Sequence, residues 1–343
     1  VPPVQSSSDD RDRLAGSGAT RFLVPVRGRD PLRALFEEIL SDASAGRSRL
    51  LLLTGDPGMG KTRLLRDLLD LAHDRAVRTL VATPDVDAAT TPLGSVTEAA
   101  LTATPPFVAH EELQPILAGE DITYWVAQVL QSAIEREAAT GAVLIVVDDL
   151  QWLDAGSLAV LTMLIHALRD QSVAWVFASR SGRQDAAHSR FTALVGELGE
   201  HHLLGPLTTR AVQAIGMDAL GMEMGPELNR VLERTAGVPL LVIDLLRGLQ
   251  EESLLQLTDA GVDVAAGVTP ERFGASARER LLQLSPQALR LAQVGSMFGR
   301  RFRLSSVLAV LSLSAAQSAD ALDELRVQEI VVDEGNALEF RHD

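Results

Sequence analysis

Gly55-Asp56-Pro57-Gly58-Met59-Gly60-Lys61-Thr62 has the spacing G-x-x-x-x-G-K-S/T, which suits a bound polyphosphate. Its glycines let backbone N–H groups curl around phosphate oxygens, and a following helix adds partial positive charge at its N-terminus. Lys61 is placed to reach the β and γ phosphates of a nucleotide, and the Thr62 hydroxyl to hold Mg²⁺. Lys61 is the only lysine in a chain with 31 lysines and arginines. A composition that uses arginine everywhere else keeps one compact ammonium where a planar guanidinium does not serve. The expected nucleotide-binding run is Asp56, Pro57, Gly58, Met59, Gly60, Lys61, Thr62 and Arg63, with ATP or ADP and Mg²⁺ as ligands.

Asp148 and Asp149 end the apolar run 143–147. Carboxylates at the C-terminal edge of a strand beside such a loop stand where Mg²⁺ is held. Asp148 is assigned to the metal through water, together with Thr62. Asp149 is assigned to the attacking water as general base. Arg180 ends another apolar run and is placed to read the γ phosphate by charge-assisted hydrogen bonds. Guanine-specific readers use an Asn/Thr-Lys-x-Asp segment, which cannot occur where the one lysine is in the loop. Adenine is therefore favoured. Seven histidines form no metal set; His201 and His202 are adjacent in an expected strand and point to opposite faces. Trp125, Trp152 and Trp175 lie in apolar segments and read as core.

These groups need a scaffold that delivers them to one edge. Apolar runs at 49–54, 78–82, 142–148 and 173–179, with a weak one at 202–204, read as strands. Between them run helical patterns. One at 61–73 carries Leu64, Leu65, Leu68, Leu69 and Ala72 on one face; another is capped by Asp154. Asp30 reads as the N-cap of a helix entered by Pro31. Continuous apolar strands alternating with helices predict a parallel sheet covered on both faces. After Pro206 the pattern becomes helical at 208–220, 226–236 and 240–252, and 253–270 reads as a linker. Helices resume from Ala277, one with Ser285 as N-cap and Pro286 behind it. The segments 329–333 and 338–341 flank Glu334-Gly335-Asn336 as a hairpin.

The expected fold class is α/β: a P-loop NTPase parallel-sheet core with a small helical lid domain and a C-terminal winged-helix domain. The expected division is a disordered tail at 1–20, a nucleotide-binding domain at 21–205, a lid at 206–265 and a winged-helix-like domain at 266–343.

With 343 residues and 46% apolar content, two or three cores are expected, filled by Leu, Val and Ala because aromatics make up only 4%. Cysteine is absent, which excludes disulfides and thiolate metal sites and fits a reducing compartment. The net charge of −15 repels phosphate backbones and disfavours nucleic acid as a direct partner. The first thirty residues lack a signal-peptide pattern, and the longest apolar runs are too short for a bilayer. A cytoplasmic protein with no membrane partner is expected.

At Val147-Asp148-Asp149-Leu150-Gln151-Trp152-Leu153-Asp154 the sequence resembles the signal-transduction ATPases with numerous domains (STAND), a branch of the AAA+ relatives. More closely, it is similar to the ATPase region of the large ATP-binding (LAL) regulators of the LuxR family. Matching pieces run from Gly28-Arg29-Asp30 through Phe177-Ala178-Ser179-Arg180 and Gly237-Val238-Pro239 to Phe340-Arg341-His342-Asp343. The resemblance implies Gly28 and Arg29 near adenine and ribose, Arg180 as sensor arginine, and Pro239 beside the adenine. It also implies His342 on the β phosphate of ADP. Arg27 stands where that family usually carries an apolar residue. The resemblance implies an ATP/ADP-dependent switch and slow ATPase serving transcriptional activation. DNA would be bound through a C-terminal helix-turn-helix not present here, so the chain is expected to be the N-terminal half of a longer protein. Nucleotide-dependent self-association is a further expected partner mode. Open alternatives are a signalling or defence ATPase with another effector, an AAA+ motor, and a relative that binds nucleotide without cleaving it.

Overall fold

The computed structural model describes residues 24–84, 91–117, 121–181, 186–258, 261–268, 270, 284–299, 301–328, 330–334 and 337–340. The expected tail at 1–20, the Gly335-Asn336 turn and His342 lie outside them.

Val143–Val147 (β3) is aliphatic at every position and buried at every position, so it can only be an interior strand. It pairs in parallel with Arg78–Ala82 (β2) on one side and Val173–Arg180 (β4) on the other. Arg49–Gly55 (β1) lies between β4 and Glu200–Leu204 (β5), giving a five-stranded sheet in the order β2-β3-β4-β1-β5. Alternation along β1 divides the core. Leu51 and Leu53 join Phe36, Leu65 and Val146 on one face, beneath Asp30–Ser44 (α1) and Lys61–Asp74 (α2). Leu50 and Leu52 join Ile145, Trp175 and Phe177 on the other. That face is covered from Gly94–Thr102 (α3), His110–Leu117 (α4), Ile122–Ala138 (α5), Ala155–Ala167 (α6) and Ala186–Leu198 (α7). The expected α/β class and parallel sheet are found.

Two local readings need correction. Asp30 lies inside α1, with Arg29 at the N-cap and no side-chain cap bond; the Asp30 carboxylate instead sits in the first turn, where it favours the helix dipole. Trp125 is 52% exposed rather than core. It lies off the buried stripe of Val126, Ala127, Leu130, Ala133 and Ile134, and meets Tyr124 edge-on at 5.3 Å. Trp175 is fully buried and stacks with Phe177, as expected, while Trp152 is half-buried.

Asp154 does cap α6: its Oδ1 accepts from Ser157 N at 3.0 Å and also from Leu93 N at 3.1 Å, before α3. One carboxylate therefore ties two segments together. Asp154→Ala is expected to lower unfolding stability by ~1–2 kcal/mol. Urea unfolding should read this as a lower midpoint with an unchanged slope.

The described chain forms two compact units, one holding residues up to 246 with 255–266, the other 247–254 with 267 onward. In the first unit the sheet is followed by Thr209–Leu220 (α8), Pro226–Glu233 (α9) and Pro239–Glu251 (α10), whose last residues fall in the second unit. Thr208 caps α8 by accepting from Ala211 N. The expected linker is not featureless: Leu255–Thr258 (β6) and Gly261–Val264 (β7) pair antiparallel. Val262 and Val264 are buried, and between them Asp263 accepts from Leu228 N in the first turn of α9 at 2.7 Å. The second unit contains Pro286–Ser296 (α11), Arg301–Phe302 (β8), Leu304–Leu311 (α12), Ala315–Val327 (α13), Val331–Glu334 (β9) and Ala337–Phe340 (β10). Its strands run β8-β10-β9, antiparallel, over a core that includes Leu291, Phe302, Leu325 and Leu338. Ser285 caps α11 with Pro286 behind it, as expected.

Candidate functional site

β1 ends at Gly55, opposite Arg180 in the register of β4, so the loop 56–60 leaves the sheet edge beside both neighbouring strands. Gly58 (φ +78°) and Gly60 (φ +90°) take conformations that side chains disfavour. Gly60 is the N-cap of α2 and has no side-chain cap to offer, while a Cβ built there would meet nothing within 4 Å. The first amides of α2 therefore lack a side-chain acceptor at the cap, which suits them to an anion.

Lys61 is 7% exposed, and its Nζ donates to Gly55 O at 2.7 Å and Asp56 O at 3.1 Å. Beside it, Thr62 Oγ1 donates to Asp148 Oδ2 at 2.5 Å. Asp148 is 4% exposed, and its Oδ1 accepts from Asp149 N at 2.9 Å. Burial pushes the Asp148 carboxyl above the usual carboxylate range; the Asp149 charge adds to this, while the Thr62 hydroxyl opposes it. A desolvated carboxylate beside a hydroxyl fits a hard divalent cation, whose charge would offset the desolvation.

Asp149 opens a 3₁₀ turn, Leu150–Trp152, at φ +50°. Its Oδ1 accepts from Gln151 Nε2 at 2.7 Å and lies 3.6 Å from Arg180 Nε. Gln151 Oε1 accepts from Arg180 N at 3.0 Å, and the Arg180 guanidinium stands 5.8 Å from the centre of the Trp152 ring. Lys61, Thr62, Asp148, Asp149 and Arg180 are thus gathered at one sheet edge.

Next to the loop is a cleft of about 600 Å³, open solvent included, walled by Val24, Pro25, Val26, Met59, Leu207, Ile215, Pro239 and Ile243. Its apolar lining suits a flat aromatic base. Arg29 and Arg63 are at its rim: Arg29 Nη2 donates to Gly205 O at 2.6 Å and Arg63 Nη2 to Val24 O at 3.1 Å. Burial pushes the Arg29 guanidinium below its usual value. Gly28 (φ +69°) lets the entering segment touch α8, since a Cβ there would lie 2.5 Å from Ala211 Cβ. Arg27 grips Asp218 of the same helix through two hydrogen bonds, at 2.6 and 2.8 Å. That gives the charge at this position a partner on α8. Pro239 opens α10, and Leu240 N donates to Gly58 O at 3.2 Å, joining that helix to the loop. Asp56 and Pro57 complete the loop.

The sequence reading did not assign Gln151, nor the walls Leu207, Ile215 and Ile243. His201 Nε2 bonds Thr54 Oγ1 at 2.6 Å, and His202 lies 3.5 Å from Glu200. Among the described residues no group of three metal-ligating side chains converges, and no helix is long and apolar enough to cross a membrane.

Residues 25–176 match the family model of the AAA ATPase domain, so the chain carries an AAA-type ATPase domain on a P-loop core. No curated protein matches the chain. Among solved structures, it is similar to a Walker-type ATPase of Pyrococcus abyssi (TM-score 0.58, 14% identity, 94% of this chain and 97% of that one). It is also similar to the ORC2 protein of Aeropyrum pernix in ADPNP–ADP complexes (0.58, 12%, 96% and 94%). The Aeropyrum pernix ORC1 protein in complex with DNA gives 0.51 at 17% identity, over 97% and 93%. Identities this low speak for a shared fold.

Proposed function

We propose that this AAA-type ATPase domain works as an ATP/ADP-dependent molecular switch. It would be the ATPase region of a transcriptional activator of the LuxR/LAL type, with DNA contacted by another part of a longer cytoplasmic protein. One observation carries the nucleotide reading: Lys61 is buried on two loop carbonyls, beside helix amides that the glycine cap leaves without a side-chain acceptor. The activator reading rests on the sequence resemblance.

In this reading the loop 56–60 and the amides of α2 bind the phosphates, and Lys61 swings from its carbonyls to the β and γ oxygens. Thr62 and Asp148 would hold Mg²⁺, which when bound neutralises charge on the β and γ phosphates. The cleft by Val26, Leu207 and Pro239 takes adenine, with Gly28, Arg29 and Arg63 along ribose and phosphate. Asp149 accepts the proton of the attacking water, and Arg180 meets the γ phosphate. Residues 206–265 act as a lid, and 266–343 as a winged-helix domain. ADP favours the closed state. Exchange for ATP engages Arg180 and favours the open one, because only contacts that differ between the two nucleotides can shift the balance. Slow hydrolysis then serves timing.

Denaturing the purified protein and chromatographing what it releases, with calorimetric titration of MgATP and MgADP, tests the reading. Adenine nucleotide released, or bound at micromolar concentration, is expected; neither release nor binding overturns it. Arg180→Ala is expected to weaken MgATP ~10-fold or more while leaving MgADP within about twofold, since a charge-assisted bond is worth about 1.5–3 kcal/mol. Equal loss for both nucleotides would remove Arg180 as the γ-phosphate reader.

A further inference from the structure

We propose that Gln151 is a positioning residue for the hydrolytic carboxylate, its side-chain amide fixing which oxygen of Asp149 receives the proton. This rests on the reading of Asp149 as general base and deepens it.

The amide spans two strands. On one side Gln151 Nε2 donates to Asp149 Oδ1 at 2.7 Å, just after β3. On the other, its Oε1 accepts from Arg180 N at 3.0 Å and from Ser179 Oγ at 3.4 Å, at the end of β4. Arg180 Nε faces the same Oδ1 at 3.6 Å. Both donors that approach the carboxylate thus converge on Oδ1, and among the described residues Oδ2 accepts no hydrogen bond. Asp149 also has φ +50°, a left-handed conformation that aspartate adopts more readily than most residues. The amide, itself within the 3₁₀ turn, fixes the carboxylate's rotation by borrowing the rigidity of β4.

During hydrolysis the water oxygen bonds to the γ phosphorus while the bond from that phosphorus to the β–γ bridging oxygen breaks, its electron pair leaving with ADP. The water's proton passes to Asp149 Oδ2 and from there to solvent. Gln151 touches none of these atoms. It keeps Oδ1 occupied and Oδ2 aimed, and orientation of this kind is worth one to two orders of magnitude in rate.

The test uses steady-state MgATP turnover, calorimetric MgATP affinity and thermal unfolding on the whole chain. Gln151→Ala is expected to lower kcat on the order of ten- to a hundredfold with Kd within about twofold. Gln151→Glu keeps the length and the acceptor for Arg180 N and Ser179 Oγ but loses the donor to Asp149. It also sets a carboxylate oxygen against Asp149 Oδ1, so it is expected to lose kcat to at least the same degree, with a lower melting temperature. In an Asp149→Asn background, Gln151→Ala is expected to add no further loss, because no base remains to be aimed. Wild-type kcat in Gln151→Glu, or an undiminished further loss in the Asp149→Asn background, overturns the positioning role while Asp149 stands as base. Full turnover by Asp149→Asn alone overturns the base assignment and Gln151's role with it, whereas nucleotide binding is read separately by the affinity.

Discussion

Lys61→Ala is expected to leave the chain folded and to weaken MgATP and MgADP binding by about 10²–10³-fold. The ammonium is the one cation the loop itself contributes, and it meets two phosphates. Hydrogen bonds to charged groups are worth about 1.5–3 kcal/mol each, and roughly 1.4 kcal/mol is a factor of ten in affinity. The cost to the fold is smaller. Gly55 O, which the ammonium abandons, also accepts from Ser181 N at 3.2 Å, so it keeps a partner in the mutant. Lys61→Arg should fail almost as badly, because a planar fork cannot occupy the space of a compact ammonium held between Gly55 O and Asp56 O. Calorimetric titration with a parallel melting curve checks both parts. Wild-type affinity in a folded Lys61→Ala protein would remove the loop from the binding site.

Asp148→Asn is expected to separate stability from function. Turnover should fall about 10²–10³-fold, because several kcal/mol of charge stabilisation through the metal is lost with its carboxylate. The metal-free protein should be at least as stable as wild type. The Asp148 carboxyl is held above its ordinary value chiefly by burial, so folding favours its protonated form. The stability this group contributes is then fully present below its unfolded value, near pH 4, and is lost as pH rises through the raised folded value. Unfolding of the two proteins in EDTA should therefore diverge as pH rises from about 4, with Asp148→Asn gaining on wild type. Added MgATP should reverse the order. A mutant that gains nothing in EDTA and still responds to Mg²⁺ would contradict both the strained carboxylate and its metal role.

The parts of the molecule that rest on local pattern were readable in the sequence. Residues 143–147 are apolar without a break because both faces of β3 are covered, and Asp148 follows because the strand must end at an edge. The loop 55–62 carries its own conformational demands in Gly58 and Gly60. What depends on neighbours far along the chain was not readable. β1 lies between β4 and β5, so the meeting of Gly55 with Arg180 is a fact of strand order. Gln151 is an ordinary glutamine until β3 and β4 are known to be adjacent. The pair β6–β7 is too short to give a period. It is held by the Met224–Val262 bridge and the Asp263 bond to α9, both contacts with preceding segments. Trp125 shows the converse: apolar neighbours in sequence do not decide which side of a helix a residue takes. His342 and the 1–20 segment lie outside the described residues.

The seclusion of the Lys61 ammonium has a practical side. Among the side chains of this sequence there is a single primary amine for acylating reagents, that of Lys61, which is 7% exposed and donates to two carbonyls. Its labelling rate is thus a chemical stopwatch for how often the loop opens. One mass-spectrometric peak can follow that opening without any engineered probe.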